Sequence, residues 1–272
     1  MLLDVVPPWG KRSEGASGAI LGPGRGADVE APATPQGGAD VAAAIGSELD
    51  RIEAALAGGA GLQGLGFWRL VGRIKRDRAL IVAHADQIGR IDAAAFRDWV
   101  GRWRLPAAVG TTVLVAGALV GLAAAVGATQ IESPGWAGLW LLAAGGIWTI
   151  ALHSPTHHLV GWLVGIRFTD YFFGGPPPPR PGIKTDYATY LRADPASRAW
   201  MHASGAIATK LAPFLALAWF PFSEAPWWAP AALVAIGVVQ IATDLAFSVK
   251  TSDWKKFRRE RAVARSGLTR GE

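Results

Sequence analysis

From about residue 105 onward the sequence carries four long windows with almost no charge: 105–127, 136–166, 201–222 and 226–249. Each is near or above the roughly 20 residues that a helix needs to cross roughly 30 Å of hydrocarbon. Backbone N–H and C=O groups have to be satisfied internally in lipid, so windows of this kind fold as helices. The expectation is an all-α membrane protein with about four transmembrane helices. The third window is the least apolar, because Lys210 lies inside it.

Lysine and arginine set the expected orientation. The connections 128–135 and 223–225 carry only Glu132 and Glu224, whereas 167–200 carries Arg167, Arg180, Lys184, Arg192 and Arg198. The tail adds Lys250, Lys255, Lys256, Arg258, Arg259, Arg261 and Arg265. Under the positive-inside rule both termini are cytosolic. Trp99, Trp103, Trp200 and Trp254 then fall at the inner boundary and Trp136, Trp140, Trp227 and Trp228 at the outer, as in an aromatic belt. The formal charge of +6 is therefore an orientation signal, and contact of the basic tail with anionic membrane lipids fits it. No basic-aromatic pattern argues for nucleic acid. The expected location is a plasma membrane of bacterial type, and the opening residues show no cleavable signal peptide.

The stretch before residue 105 is of another kind. Residues 1–39 are rich in Gly, Pro and Ala, which predicts disorder. Residues 40–104 predict a cytosolic amphipathic helical region. Val41, Ile45, Leu49, Ile52 and Leu56 recur at helical spacing, a Gly-rich break follows at 58–61, and a second helix is expected over 67–91. A third, 92–104, places Phe96, Val100 and Trp103 on one side and suits the inner membrane surface. His84 reads as a surface histidine. The membrane core spans 105–250 and a basic tail 251–272.

Inside the second window stands His153-Ser154-Pro155-Thr156-His157-His158, three of the five histidines of the chain. Imidazole in hydrocarbon is unfavourable unless paired, so the cluster marks a functional site. His153 and His157 are four apart and share one helix face, the spacing at which two imidazoles bind one zinc. With no cysteine in the chain, a metal has to be held by His and carboxylate. Alternatively the two histidines bond to the Thr149, Ser154 or Thr156 hydroxyls and to carbonyls freed by Pro155. His158 points off the shared face and His202 sits near the boundary beside Trp200, so both read as ordinary polar residues. Five histidines are too few for a di-iron desaturase, and no internal repeat suggests a transporter.

The text around the histidines resembles the site-2 protease family of intramembrane zinc metalloproteases. The motif helix of that family reads His-Glu-x-x-His, followed by small residues and a Gly-hydrophobic exit. The segment 169–191 looks like the hairpin-containing stretch that follows that helix. Gly205-Ala206-Ile207-Ala208-Thr209 looks like the small-residue signature of the next one. The resemblance, over roughly residues 136–256, implies zinc held by His153, His157 and Asp244, and proteolysis of a membrane-embedded client. Depth agrees: His153 is 17 residues past Trp136 and Asp244 is 17 past Trp227, each about 26 Å in at 1.5 Å per residue. A competing role for Asp244 is an ion pair with Lys210, which would relieve two intramembrane charges.

The departures are specific. The family glutamate that takes a proton from zinc-bound water is Ser154 here, and a serine hydroxyl cannot replace a carboxylate at neutral pH. Pro155 between the histidines predicts a kink, and Asp244 is followed by Leu245 in place of glycine. The expectation is a site-2-protease-like metalloprotease homologue with a lesioned active site. The alternative is a non-catalytic scaffold that binds other transmembrane helices.

Overall fold

The computed structural model describes residues 38–100, 103–174, 180–246 and 252–268. All but the last two residues of the segment expected to be disordered, and the proline run 176–179, lie outside that set. The described chain is mostly helical, with one small sheet.

The region before the apolar windows folds on its apolar spacing. Helix α1 (Gly38–Ala57) buries Ile45, Leu49, Ile52 and Leu56. They meet α2 (Phe67–Ile74) and α3 (Arg78–Val100), which bury Phe67, Leu70, Ile74, Ile81, Ile88 and Ile91. The break expected at 91/92 is displaced to 75–77. There the Asp77 carboxylate accepts from the Ala79 and Leu80 amides at 2.9 and 3.2 Å and starts α3, which runs unbroken through Asp92-Ala-Ala-Ala-Phe96. His84 is buried, contrary to expectation, because it shares the α3 face of Ile81, Ala85 and Ile88 that packs on α1 beside Gly46. Phe96 and Val100 pack on Phe172, while Trp103 is largely exposed.

Two helices among the described residues are long and apolar enough to cross a membrane: α4 (Ala107–Ala128), and α8 (Pro195–Leu217) with the 3-10 turn that extends it to Phe222. A third candidate is a bent pair, α5 (Pro134–Ala151) and α6 (His153–Leu163), at 43°. The bend falls where Pro155 dictates. Proline brings no N–H to the carbonyl of Ala151 and its ring crowds that carbonyl, so the helix breaks at Leu152. The fourth window forms α9 (Trp228–Ala246), whose apolar part, Trp228–Asp244, is shorter. Small residues let these helices approach: Ala125 and Ala128 of α4, Ala137 and Ala144 of α5, Ala212 and Ala216 of α8 and Ala229 of α9 share one core.

The expected hairpin is present as β2 (Phe168–Gly174) and β3 (Arg180–Thr185). It gains a third strand, β1 (Arg104–Pro106), so the end of the segment expected as helix adds to the sheet in the order β1-β2-β3. After the short α7 (Tyr187–Arg192) comes α8, which Asp194 caps by accepting from the Ala196 and Ser197 amides. The basic tail is a helix, α10 (Asp253–Leu268), packed along α8 with Asp253, Lys256 and Glu260 on its buried face.

Candidate metal centre

The break at Leu152 makes His153 the first residue of α6, and the four-residue spacing stacks His157 one turn on. Their rings meet edge to face, with centroids 4.8 Å apart. Each imidazole is oriented through its Nδ1. The His157 Nδ1 donates to the Met201 carbonyl of α8 at 2.6 Å. The His153 Nδ1 lies 2.9 Å from the Thr209 hydroxyl, whose own proton goes to the Gly205 carbonyl at 3.0 Å, so here too the ring donates. With hydrogen on both Nδ1 atoms, the neutral rings carry their lone pairs on Nε2.

Both Nε2 atoms face one carboxylate oxygen. Asp253 Oδ2 lies 3.6 Å from the His153 Nε2 and 3.5 Å from the His157 Nε2. The three ligand atoms lie within 4.8 Å of one another. Three acceptors that converge without hydrogen between them repel unless a cation sits among them. His157 is 0 % exposed and, among the described residues, its Nε2 makes no hydrogen bond, so the group has no partner there in its own neutral state. Ligands about 2.0–2.1 Å from a tetrahedral zinc lie about 3.3 Å apart, close to the two His–Asp distances. The residues fit a metal of the zinc kind: two imidazoles oriented by outer hydrogen bonds, one carboxylate, and a fourth position left to the cavity. Burial pushes the Asp253 carboxyl up, but a hydrogen bond from a His157 ring that carries a proton on Nε2, and the charge of Lys256, whose Nζ lies 3.6 Å from Oδ1, pull it further down, to well below the usual carboxylate range; a proton there is the alternative to a metal.

Gly205 is what gives His157 its place. A Cβ at this position would lie 2.1 Å from the His157 Nε2, so only glycine lets the ring lie against α8.

Asp244 is not part of the cluster. It pairs with Lys210 of α8, and the carboxylate that meets the two histidines is that of Asp253, nine residues on. His153 and Asp244 both line one cavity. A lone lysine at the same level is the stronger partner for a carboxylate there. The hydroxyls thought of as histidine partners are also used elsewhere: Thr149 donates to the Gly145 carbonyl and Thr156 to the Leu152 carbonyl. His158 stands off the shared face, its Nδ1 2.7 Å from the Thr111 hydroxyl, which in turn meets the Tyr171 hydroxyl at 3.2 Å. His202 is buried, its Nε2 3.0 Å from the Tyr190 hydroxyl.

His153, Ser154 and Asp253 form part of the wall of a cavity of about 870 Å³ that reaches the sheet at Leu105 and Tyr171. The acidic side chains among its described lining residues are Asp244 and Asp253, one in an ion pair and the other in the His-His-Asp cluster. Ser154 lines the cavity next to His153. No family model matches the chain, and no curated protein and no solved structure matches it either.

Proposed function

We propose that this chain is an integral-membrane metalloprotein on a site-2-protease-like scaffold. It binds zinc through His153, His157 and Asp253 and receives a segment of a transmembrane client in the adjoining cavity without hydrolysing it. In this reading α9 is a fourth span, both termini are cytosolic, and the membrane is a plasma membrane of bacterial type. The observation that carries the proposal is the pairing of a convergent His-His-Asp cluster with a cavity wall whose two carboxylates are both engaged. Zinc, when bound, would act as a Lewis acid toward a ligand in its open position. His153, His157 and Asp253 would hold it, Thr209 and Met201 would orient the imidazoles, and Ser154 would leave a bound water without a base.

A peptidase reading has one observation in its favour. The Tyr171–Thr111–His158 chain of hydrogen-bonding groups opens on the same cavity through Tyr171, which gives a proton a route that needs no carboxylate. The test is cleavage of labelled transmembrane segments by the zinc-loaded protein in detergent. The expected result is intact substrate with the wild type, and slow cleavage by Ser154→Glu that His157→Ala abolishes. Zinc-dependent cleavage by the wild type, lost in His157→Ala, would overturn the non-catalytic reading. Tyr171, His158 and Asp170 would then be the first residues to substitute.

A further inference from the structure

The third ligand of the candidate metal centre does not come from the apolar helices. It comes from α10, the basic helix beyond them. Histidines 153 and 157 are fixed within the helical core, so the completeness of the site depends on how α10 is held. Its buried face carries Asp253, Lys256 and Glu260 at positions i, i+3 and i+7, one line along about 10 Å of helix.

Glu260 is 1 % exposed. Its Oε2 lies 2.9 Å from the Nε of Arg198 and its Oε1 lies 3.0 Å from the Nζ of Lys75. Arg198 is itself 0 % exposed and donates from Nη1 to the Leu191 carbonyl at 2.9 Å. Lys75 lies over the rings of Tyr187 and Tyr190. One carboxylate thus joins α10 to the start of α8 and to the end of α2. Arg198 stands one turn before Met201, whose carbonyl orients His157. The first turns of α8 therefore fix the imidazole and, through Glu260, the helix that carries the carboxylate.

We infer that Glu260 is the positioning residue of the metal centre: its buried ion pairs with Arg198 and Lys75 clamp α10 along α8 and hold Asp253 against His153 and His157. The inference rests on the metal-binding reading above. Glu260 does not touch the metal position and acts only through Asp253. An uncompensated Glu260 in this pocket would be expelled, so a charge pair this buried binds α10 in one register. A register change of one residue on α10 would turn Asp253 away from the histidines by about 100°.

Cobalt(II) is the probe, titrated into the full-length protein in detergent, because its visible d–d absorption reports the ligand set as well as the affinity. The wild type is expected to bind one cobalt with bands of a four-coordinate site. Glu260→Gln should bind about 10–100-fold more weakly, as for other disturbed outer residues, with the spectrum of Asp253→Asn. In the Asp253→Asn background Glu260→Gln should weaken binding no further; with Asp253 present, Glu260→Asp should keep part of the affinity that Glu260→Gln loses. Lys75→Met removes only one of the two ion pairs and serves if Glu260→Gln does not fold; a loss of a few-fold is expected. Wild-type affinity and spectrum in Glu260→Gln, or in Lys75→Met where that variant is used, would overturn the inference while leaving the metal site standing. So would an equal loss from Glu260→Gln with and without Asp253. Absence of cobalt binding by the wild type would overturn the metal reading itself.

Discussion

The Nε2 of His157 faces the Asp253 carboxylate across 3.5 Å, while its Nδ1 donates to the Met201 carbonyl at 2.6 Å. The second distance fixes the tautomer and the first makes it unsatisfied. A neutral imidazole so held, itself 0 % exposed, offers a lone pair to a carboxylate that also offers lone pairs. A metal or a proton has to lie between them. His153 repeats the arrangement through Thr209, which favours the metal, because one proton cannot bridge both rings to one oxygen.

Gly205→Ala should remove the site without removing the fold. The new methyl would stand 2.1 Å from the His157 Nε2, and the ring has to leave its pocket. Zinc affinity, measured by competition with a chromophoric chelator, is expected to fall by at least the roughly 10–100-fold typical of disturbed outer residues. Thr209→Val should give a milder loss and Thr209→Ser a near-normal affinity, because serine keeps the acceptor for the His153 Nδ1.

Lys210 and Asp244 should behave as a pair. Asp244 is 36 % exposed and Lys210 16 %, so each is partly shielded from solvent. Either Lys210→Met or Asp244→Asn alone should lower the thermal midpoint in detergent. The double variant should recover much of the loss, with a coupling of about 0.5–3 kcal/mol. Additive losses would show that the two do not depend on one another.

The orientation assigned to the helices can be read with reporters. Fusions after residues 130 and 224 are expected to be extracytosolic, and those after 185 and 265 cytosolic. An extracytosolic reporter after 265, with 224 extracytosolic as well, would take α9 out of the membrane and leave the bent pair, α4 and α8 as the spans.

The burial of Glu260 has a pH signature. Burial raises its pKa, but Lys75 and Arg198, with His202 a smaller contributor, lower it further, so it is depressed on folding. A depressed carboxyl contributes stability that is complete above its unfolded value, about 4.3, and is lost as pH falls through the folded value. The Tm difference between wild type and Glu260→Gln should therefore be full above about pH 5 and shrink as pH falls below that, through the folded value. A difference independent of pH across this window would show that the charge of Glu260 contributes nothing to stability.

Much of the architecture was legible because its causes are local. Periodicity gave α1, Pro155 marked the break at Leu152, and two histidines four apart declared their shared face. The carboxylate was not legible in the same way. Asp244 satisfied the resemblance and the depth count, but depth says nothing about which neighbour a side chain meets, and Lys210 meets it first. Asp253 lay in text that read as a topogenic basic tail. Its signal was the spacing of two acids, Asp253 and Glu260, seven apart among arginines and lysines, which puts both on one helix face. The burial of His84 and of Arg198 depends on contacts far apart in sequence and left no local trace.

Zinc content decides the central claim. The full-length protein, purified in detergent at neutral pH with adequate zinc and then desalted, should carry about one zinc per chain by elemental analysis. Asp253→Asn and His157→Ala should carry almost none, and Asp244→Asn should keep nearly all of it. A metal-free wild type, or zinc that is lost with Asp244→Asn and retained with Asp253→Asn, would contradict the site.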